Sequence, residues 1–255
     1  MRRPPKLTKR EISLVPYLLT GASRKDIAEQ IEVSEETVKS HIRNVIRKFD
    51  ANTLRECFLE LQAFNEFFNN NSSLGYEYWH DVRAELTISA DGITAESTVT
   101  TEAEAMFGAV KSTAFTSGVD AGAIMLLEFN GKIIKHKTSL DTLHWYPFDF
   151  PEPIEDGTLF TTFMRLISKN SYLNPTETQN LNISRPTKVA SIRVNFESGV
   201  VPKIAGVSVT AQGRSVEVPG LAIQRLENSL YLEIPDPKVY YWYSIVWTWD
   251  EPPSV

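Results

Sequence analysis

The chain has 255 residues, 42% of them hydrophobic and 23% charged, with a formal net charge of -6. That length suits one large domain or two smaller ones, and that composition excludes a disordered or fibrous chain. No run approaches the roughly 18 apolar residues of a membrane span, so no membrane partner is expected. The basic start MRRPPKLTKRE has no apolar core behind it and is not read as a secretory signal. One cysteine, Cys57, excludes an internal disulfide and fits a reducing, cytoplasmic setting. Cys57 and four scattered histidines (His41, His80, His136, His144) form no close ligand pair, so no metal or other cofactor is expected. The charge is divided. Residues 1–60 carry 12 Lys and Arg against 9 Asp and Glu, whereas 61–255 carry 14 against 23, which points to two domains with different partners.

The first 68 residues read as helices. Thr8 with Glu11 is a capping box, followed by an apolar face of Ile12, Leu14, Val15, Leu18 and Leu19 and a stop at Gly21. Pro16 inside this helix is expected to kink it or loosen its first turns. Ser23 caps a short helix with Asp26 at its third position and Ile27, Ala28 and Ile31 facing inward. After a turn at Glu32-Val33, Ser34 caps a basic helix whose apolar side is Val38, Ile42, Val45, Ile46 and Phe49. A fourth helix is expected from about Thr53 to Phe68, with Leu54, Phe58, Leu61, Phe64 and Phe68 along it. Two short capped helices joined by a tight turn, the second amphipathic and basic, describe a helix-turn-helix.

Asn69-Asn70-Asn71-Ser72-Ser73 is polar and turn-prone, so 69–75 is read as a linker between a 1–68 head and a 76–255 domain. Beyond it the period becomes 2. Val82, Ala84, Leu86 and Ile88 alternate with polar residues, as do Ala190, Ile192, Val194 and Phe196. Asn130-Gly131 marks a two-residue hairpin. Further strands are expected near 92–100, 110–117, 143–148, 159–167, 203–210, 214–218, 229–234 and 239–249, with a helix as the alternative around Phe160–Lys169. The fold class is therefore a helix-turn-helix bundle followed by an all-β antiparallel sandwich or barrel. The aromatic run VYYWYSIVWTW is read as a central strand packed on both sides, and LHWYPFDFPEP, with Pro147, Pro151 and Pro153, as loop or edge.

Residues 7–49 also resemble the LuxR/FixJ-type (GerE-like) DNA-binding domain. Leu7, Thr8, Arg10, Glu11, Gly21, Ile27, Ala28, Ser34, Thr37, Val38, Lys39, His41, Lys48 and Phe49 follow its pattern without a gap. The resemblance implies that Lys39, Ser40 and Arg43 face base edges of double-stranded DNA. Thr37, His41 and Arg47 would then lie against phosphates, joined by Ser23, Arg24 and Lys25 at the start of the preceding helix. It also implies that the fourth helix can pair two subunits, so a homodimer or higher homo-oligomer is expected, through this helix or through the other domain; the alternative for the helix is that its apolar stripe packs on the C-terminal domain. The sequence departs from the pattern at Pro16, at Phe49 in place of Leu, at Asp50 where Gly is common and at Leu54 in place of Arg. The head here precedes the other domain, whereas the family usually carries it at the C-terminus.

No Gly-x-Ser-x-Gly, phosphate-binding loop or His-Glu-x-x-His occurs, so no catalytic residue is assigned and no enzyme is expected. The nearest acid–histidine pairs, Asp141 with His144 and His80 with Asp81, are read as surface pairs. The sequence is thus read as a transcriptional regulator whose β domain senses a small-molecule or protein effector. Two alternatives stand beside it: an assembly module whose helix-turn-helix no longer binds DNA, and a β-domain enzyme with a DNA-tethering head.

Overall fold

The structure, a computed structural model, describes residues 5–58, 61–62, 76–117, 122–134, 144–211 and 213–250. Arg2, Arg3, Phe64, Phe68, the 69–75 linker, His136 and Asp141 lie outside them. The head contains α1 (Lys9–Leu19), α2 (Arg24–Gln30) and α3 (Glu35–Lys48). Thr8 and Glu11 close the expected capping box on α1, and Ser23 and Asp26 close a second on α2. The α1 stop is a Schellman turn: Gly21 takes φ 72, its N–H donates to the Leu18 carbonyl, and the Ala22 N–H donates to that of Tyr17. The helix runs on through Pro16, whose ring faces solvent and costs only one internal hydrogen bond there.

Two more helices end in the same way without glycine. Glu32 (φ 56) follows α2, with the Val33 N–H donating to the Ala28 carbonyl. Asp50 (φ 54) follows α3, with the Ala51 N–H donating to that of Ile46. The turn after α3 therefore keeps its form although Asp50 replaces the expected glycine. Leu14, Ile27, Val38 and Val45 are fully enclosed in the head core. Thr53 opens the next helical segment by accepting from the Glu56 N–H, and its Cys57 and Leu61 join the same core. Part of the apolar stripe assigned to subunit pairing is thus used inside one head, while Phe58 stays exposed.

Among the described residues the remainder is β structure in three sheets. The largest runs β12-β13-β9-β1-β2-β7-β4-β5, where β1 is Tyr76–Ile88, β2 Thr94–Met106, β4 Ala123–Phe129, β5 Lys132–Ile133, β7 Leu159–Lys169, β9 Thr187–Phe196, β12 Gln224–Arg225 and β13 Ser229–Pro235. A four-stranded sheet runs β11-β10-β14-β8, with β8 Thr176–Asn182, β10 Ile204–Ala211, β11 Arg214–Ser215 and β14 Tyr241–Thr248. The third pairs β3 (Val110–Ser117) with β6 (His144–Ile154). Residues 160–169 are strand, not the alternative helix. β7 is flanked by β2 and β4, and its inward residues Met164 and Leu166 are buried. Asn130 (φ 47) and Gly131 (φ 78) form the expected tight hairpin.

Register explains the core. Leu232 pairs with Ile192, Ile192 with Ala84, Ala84 with Val99, Val99 with Met164, and Met164 with Phe129. Directly paired residues share a face, so these six put one apolar row across one side of the large sheet. Both smaller sheets cover that side. Leu181, Val209, Tyr243, Ile245 and Trp247 close it over β1, β9 and β13, and Phe148 of β6 closes it over β4 and β7. One pairing departs from the antiparallel expectation: β1 and β9 run parallel. The aromatic strand is central within its sheet, between β10 and β8, with Tyr243, Ile245 and Trp247 buried on one face and the other face partly covered. Pro147, Pro151 and Pro153 lie in β6, an edge strand that can omit their N–H donors.

Candidate nucleic-acid interface

Helix α3 is fixed from one side and open on the other. Ser34 accepts from the Thr37 N–H at 3.1 Å, and its hydroxyl lies 2.8 Å from that of Thr37. Glu35 and Glu36 occupy the first turn and Arg47 and Lys48 the last, matching the helix dipole. Val38 and Val45 are fully buried, and Ile42 and Ile46 pack against the head core. One turn apart on the opposite side stand Ser40, Arg43 and Arg47, all exposed, with Lys39 beside them and partly covered.

A part-buried ion pair ties α3 to α1. Lys48 Nζ donates to Glu11 Oε2 at 2.6 Å, and the Thr8 N–H donates to the same oxygen at 2.6 Å. Glu11 is 3% exposed. Burial by itself pushes its carboxyl up, but the hydrogen bonds from Lys48 and Thr8 outweigh it and hold the group below the usual carboxylate range. Sequence reasoning used Glu11 only as a cap. The available signal was that Glu11 and Lys48 both belong to the matched pattern at its two ends.

The site residues assigned from the sequence stand in different states. Lys39 Nζ lies 3.1 Å from Glu36 Oε1, a pair on the α3 surface. Arg47 donates to Asn44 Oδ1 at 3.3 Å. His41 and Thr37 are half-buried along the flank. Arg24 and Lys25 are exposed at the start of α2. Ser23 is engaged: its hydroxyl donates to Asp26 Oδ2 at 2.7 Å and accepts from the Asp26 N–H. Between α2 and α3 lies a shallow groove bordered by Glu29, Glu32 and Glu35 with Lys25 at its rim. Three carboxylates against one ammonium make that groove unfavourable to phosphate, whereas Arg43 and Arg47 on α3 and Arg24 on α2 stand exposed outside it.

His80 and Asp81 do not pair with each other. His80 Nε2 lies 3.2 Å from Glu104 and its ring meets Tyr78 edge-on. Asp81 instead pairs with Arg83 at 3.1 Å. Burial raises the Asp81 carboxyl, Arg83 opposes that, and Glu102 adds to it. The side chain of His144 is outside the described residues, as is Asp141. No cluster of three or more His, Cys, Asp or Glu suited to a metal occurs among the described residues. No helix among them is long and apolar enough to cross a membrane.

Residues 5–59 match the family model described as bacterial regulatory proteins, luxR family. The spore germination protein GerE of Bacillus subtilis is 34% identical over 62 residues, which are 24% of this chain and 84% of that protein. The chain belongs to the luxR family. A nitrate/nitrite response regulator protein homolog from Haemophilus influenzae is 49% identical to this luxR-family chain over 47 residues. The nitrate/nitrite response regulator protein NarP of Escherichia coli is 48% identical over 44. Those stretches span only 23% and 20% of the two regulators. Among solved structures, a zinc metallopeptidase from Deinococcus radiodurans is similar over 68% of this chain and 43% of its own, at 11% identity and a TM-score of 0.36. That likeness is too slight to say anything about the sandwich of this luxR-family chain.

Proposed function

We propose that this luxR-family protein is a cytoplasmic, DNA-binding transcriptional regulator. Residues 1–68 form the DNA-binding head, 69–75 the linker and 76–255 the sensory or assembly domain. The observation that carries the reading is the two-sided α3, anchored by Val38 and Val45 and presenting Ser40, Arg43 and Arg47 outward. Lys39, Ser40 and Arg43 read base edges in the major groove, with Arg43 and Lys39 suited to the acceptors of guanine. Lys39 exchanges Glu36 for DNA on binding. Thr37, His41 and Arg47 contact phosphates, with Arg24 and Lys25 alongside. Ser23 contributes mainly by fixing the start of α2, since Asp26 holds its hydroxyl. The protein acts as a homodimer on two half-sites about one helical turn apart, and its β domain takes a small-molecule or protein effector.

Titration of duplex DNA at several salt concentrations tests this reading. Affinity falls as salt rises, because cations on the head release counterions from phosphate. Lys39→Ala with Arg43→Ala weakens specific binding, at about 1–3 kcal/mol for each lost bidentate base contact. Salt-independent or undetectable binding, or unchanged affinity in a folded double variant, would overturn the assignment. One observation favours the second reading, an assembly module without DNA. The first turn of α3 carries Glu35 and Glu36, and the adjoining groove adds Glu29 and Glu32. A partner protein captured by a head that ignores DNA would select that reading.

A further inference from the structure

We propose that two turns of the sandwich form a rigid seat for the head, and that through this seat the β domain fixes the orientation of α3. The first turn follows β2. Phe107 there adopts φ 62, a left-handed conformation that a bulky aromatic residue rarely takes, and its side chain packs against the apolar core of the head. The second turn joins β6 to β7 and carries Asp156. Asp156 Oδ2 accepts from Lys6 Nζ at 2.7 Å, one residue before the buried Leu7 of the head core. The hydrogen bond from Lys6, with help from the Gly108 N–H, holds the Asp156 carboxyl below the usual carboxylate range.

The two turns are bound to each other as well as to the head. The Gly108 N–H donates to Asp156 Oδ1, the Gly157 N–H to the Ala105 carbonyl at 2.8 Å, and the Ala105 N–H to that of Thr158 at 3.0 Å. Ala105 and Val110, on either side of Phe107, are fully buried. A left-handed aromatic residue persists only where its surroundings fix it, and here both flanks are held in the sandwich while the ring is held in the head. The Lys6–Asp156 pair is solvated, with Lys6 70% exposed, so it sets direction more than strength. Phe107 supplies the grip. The seat engages the head beside Leu7, while the described contacts of Lys39, Arg47 and Lys48 stay within the head, and Ser40 and Arg43 remain exposed. The head is thus held with its α3 outer face open.

Spin labels on Glu29→Cys in the head and Glu217→Cys in the sandwich, both exposed positions, report the relation of the two parts in the full chain. Cys57 is 1% exposed and escapes labelling. The otherwise unaltered chain gives one narrow distance distribution, and Phe107→Gly with Asp156→Asn broadens it at least about twofold. Glycine suits φ 62, so the first substitution removes the ring without straining the turn. A broad distribution before any seat substitution, or an unchanged narrow one after both, would overturn the seat. A second measurement needs no variant. Zero-length carbodiimide coupling of the native chain yields an intrachain link between Lys6 and Asp156, and its absence would also overturn the proposal. Neither measurement involves DNA, so failure of DNA binding would bear on the proposed function and not on the seat.

Discussion

Substitution at the Glu11–Lys48 pair separates a buried charge from a partly exposed one. Glu11 is 3% exposed, while the Lys48 side chain keeps 29% of its surface in water. Removing the anion with Glu11→Gln leaves an ammonium that reaches solvent, and the amide oxygen still accepts from the Thr8 N–H. The loss is then that of one charged hydrogen bond, about 1.5–3 kcal/mol. Removing the cation with Lys48→Met strands a carboxylate inside the head, and breaking a buried pair in that way costs about 3–5 kcal/mol. Every helix among the described residues belongs to the head, so the helical circular-dichroism signal reports it. All five tryptophans lie at position 79 or beyond, so their fluorescence reports the sandwich. Urea unfolding followed by both signals is expected to rank Lys48→Met below Glu11→Gln in head stability. The pair also has a pH signature. The Glu11 carboxyl is lowered on folding, so its contribution is complete above the unfolded glutamate value of about 4.3 and is lost as pH falls towards the folded one. Glu11→Gln therefore flattens the acid limb of head stability. Equal costs for the two substitutions, or an unchanged acid limb, would refute the reasoning.

Two further outcomes test the turns. Glu32→Gly is expected to stabilise the head by about 0.5–1 kcal/mol, because glycine holds φ 56 without a Cβ penalty; thermal unfolding by circular dichroism measures it. Gly122→Ala places a Cβ 2.2 Å from the Lys169 carbonyl oxygen at φ 74, so the sandwich must shift or strain. A loss of at least about 2 kcal/mol in tryptophan-monitored unfolding is expected, with the helical signal less affected.

The sequence was most legible where information is local. Thr8, Ser23 and Ser34 cap helices from the positions their chemistry suggested, because a hydroxyl and an N–H three residues on are brought together by the helix itself. Alternation marked the strands around Val82–Ile88 and Ala190–Phe196, because both belong to strands buried on one face. It missed β8, TETQNLN, whose inward positions Glu177 and Gln179 are polar and held by hydrogen bonds to the Asn174 N–H and to Ser97. It spread the ambiguity of 160–169 between helix and strand, which pairing with β2 and β4 resolved.

For the candidate interface, the family pattern gave the residues of α3, and the fold gave their states. Lys39 rests on Glu36, Ser23 is occupied by Asp26, and part of the fourth helical segment packs inward through Leu61. By itself the sequence determined the head, its caps and the division between a helical part and a β part. Only the tertiary structure decided the parallel β1–β9 pairing, the Glu11–Lys48 pair and the contact of Phe107 and Asp156 with the head. Each joins residues dozens of positions or more apart. Such contacts are selected by burial and register across the whole chain, and no spacing within a short window records them.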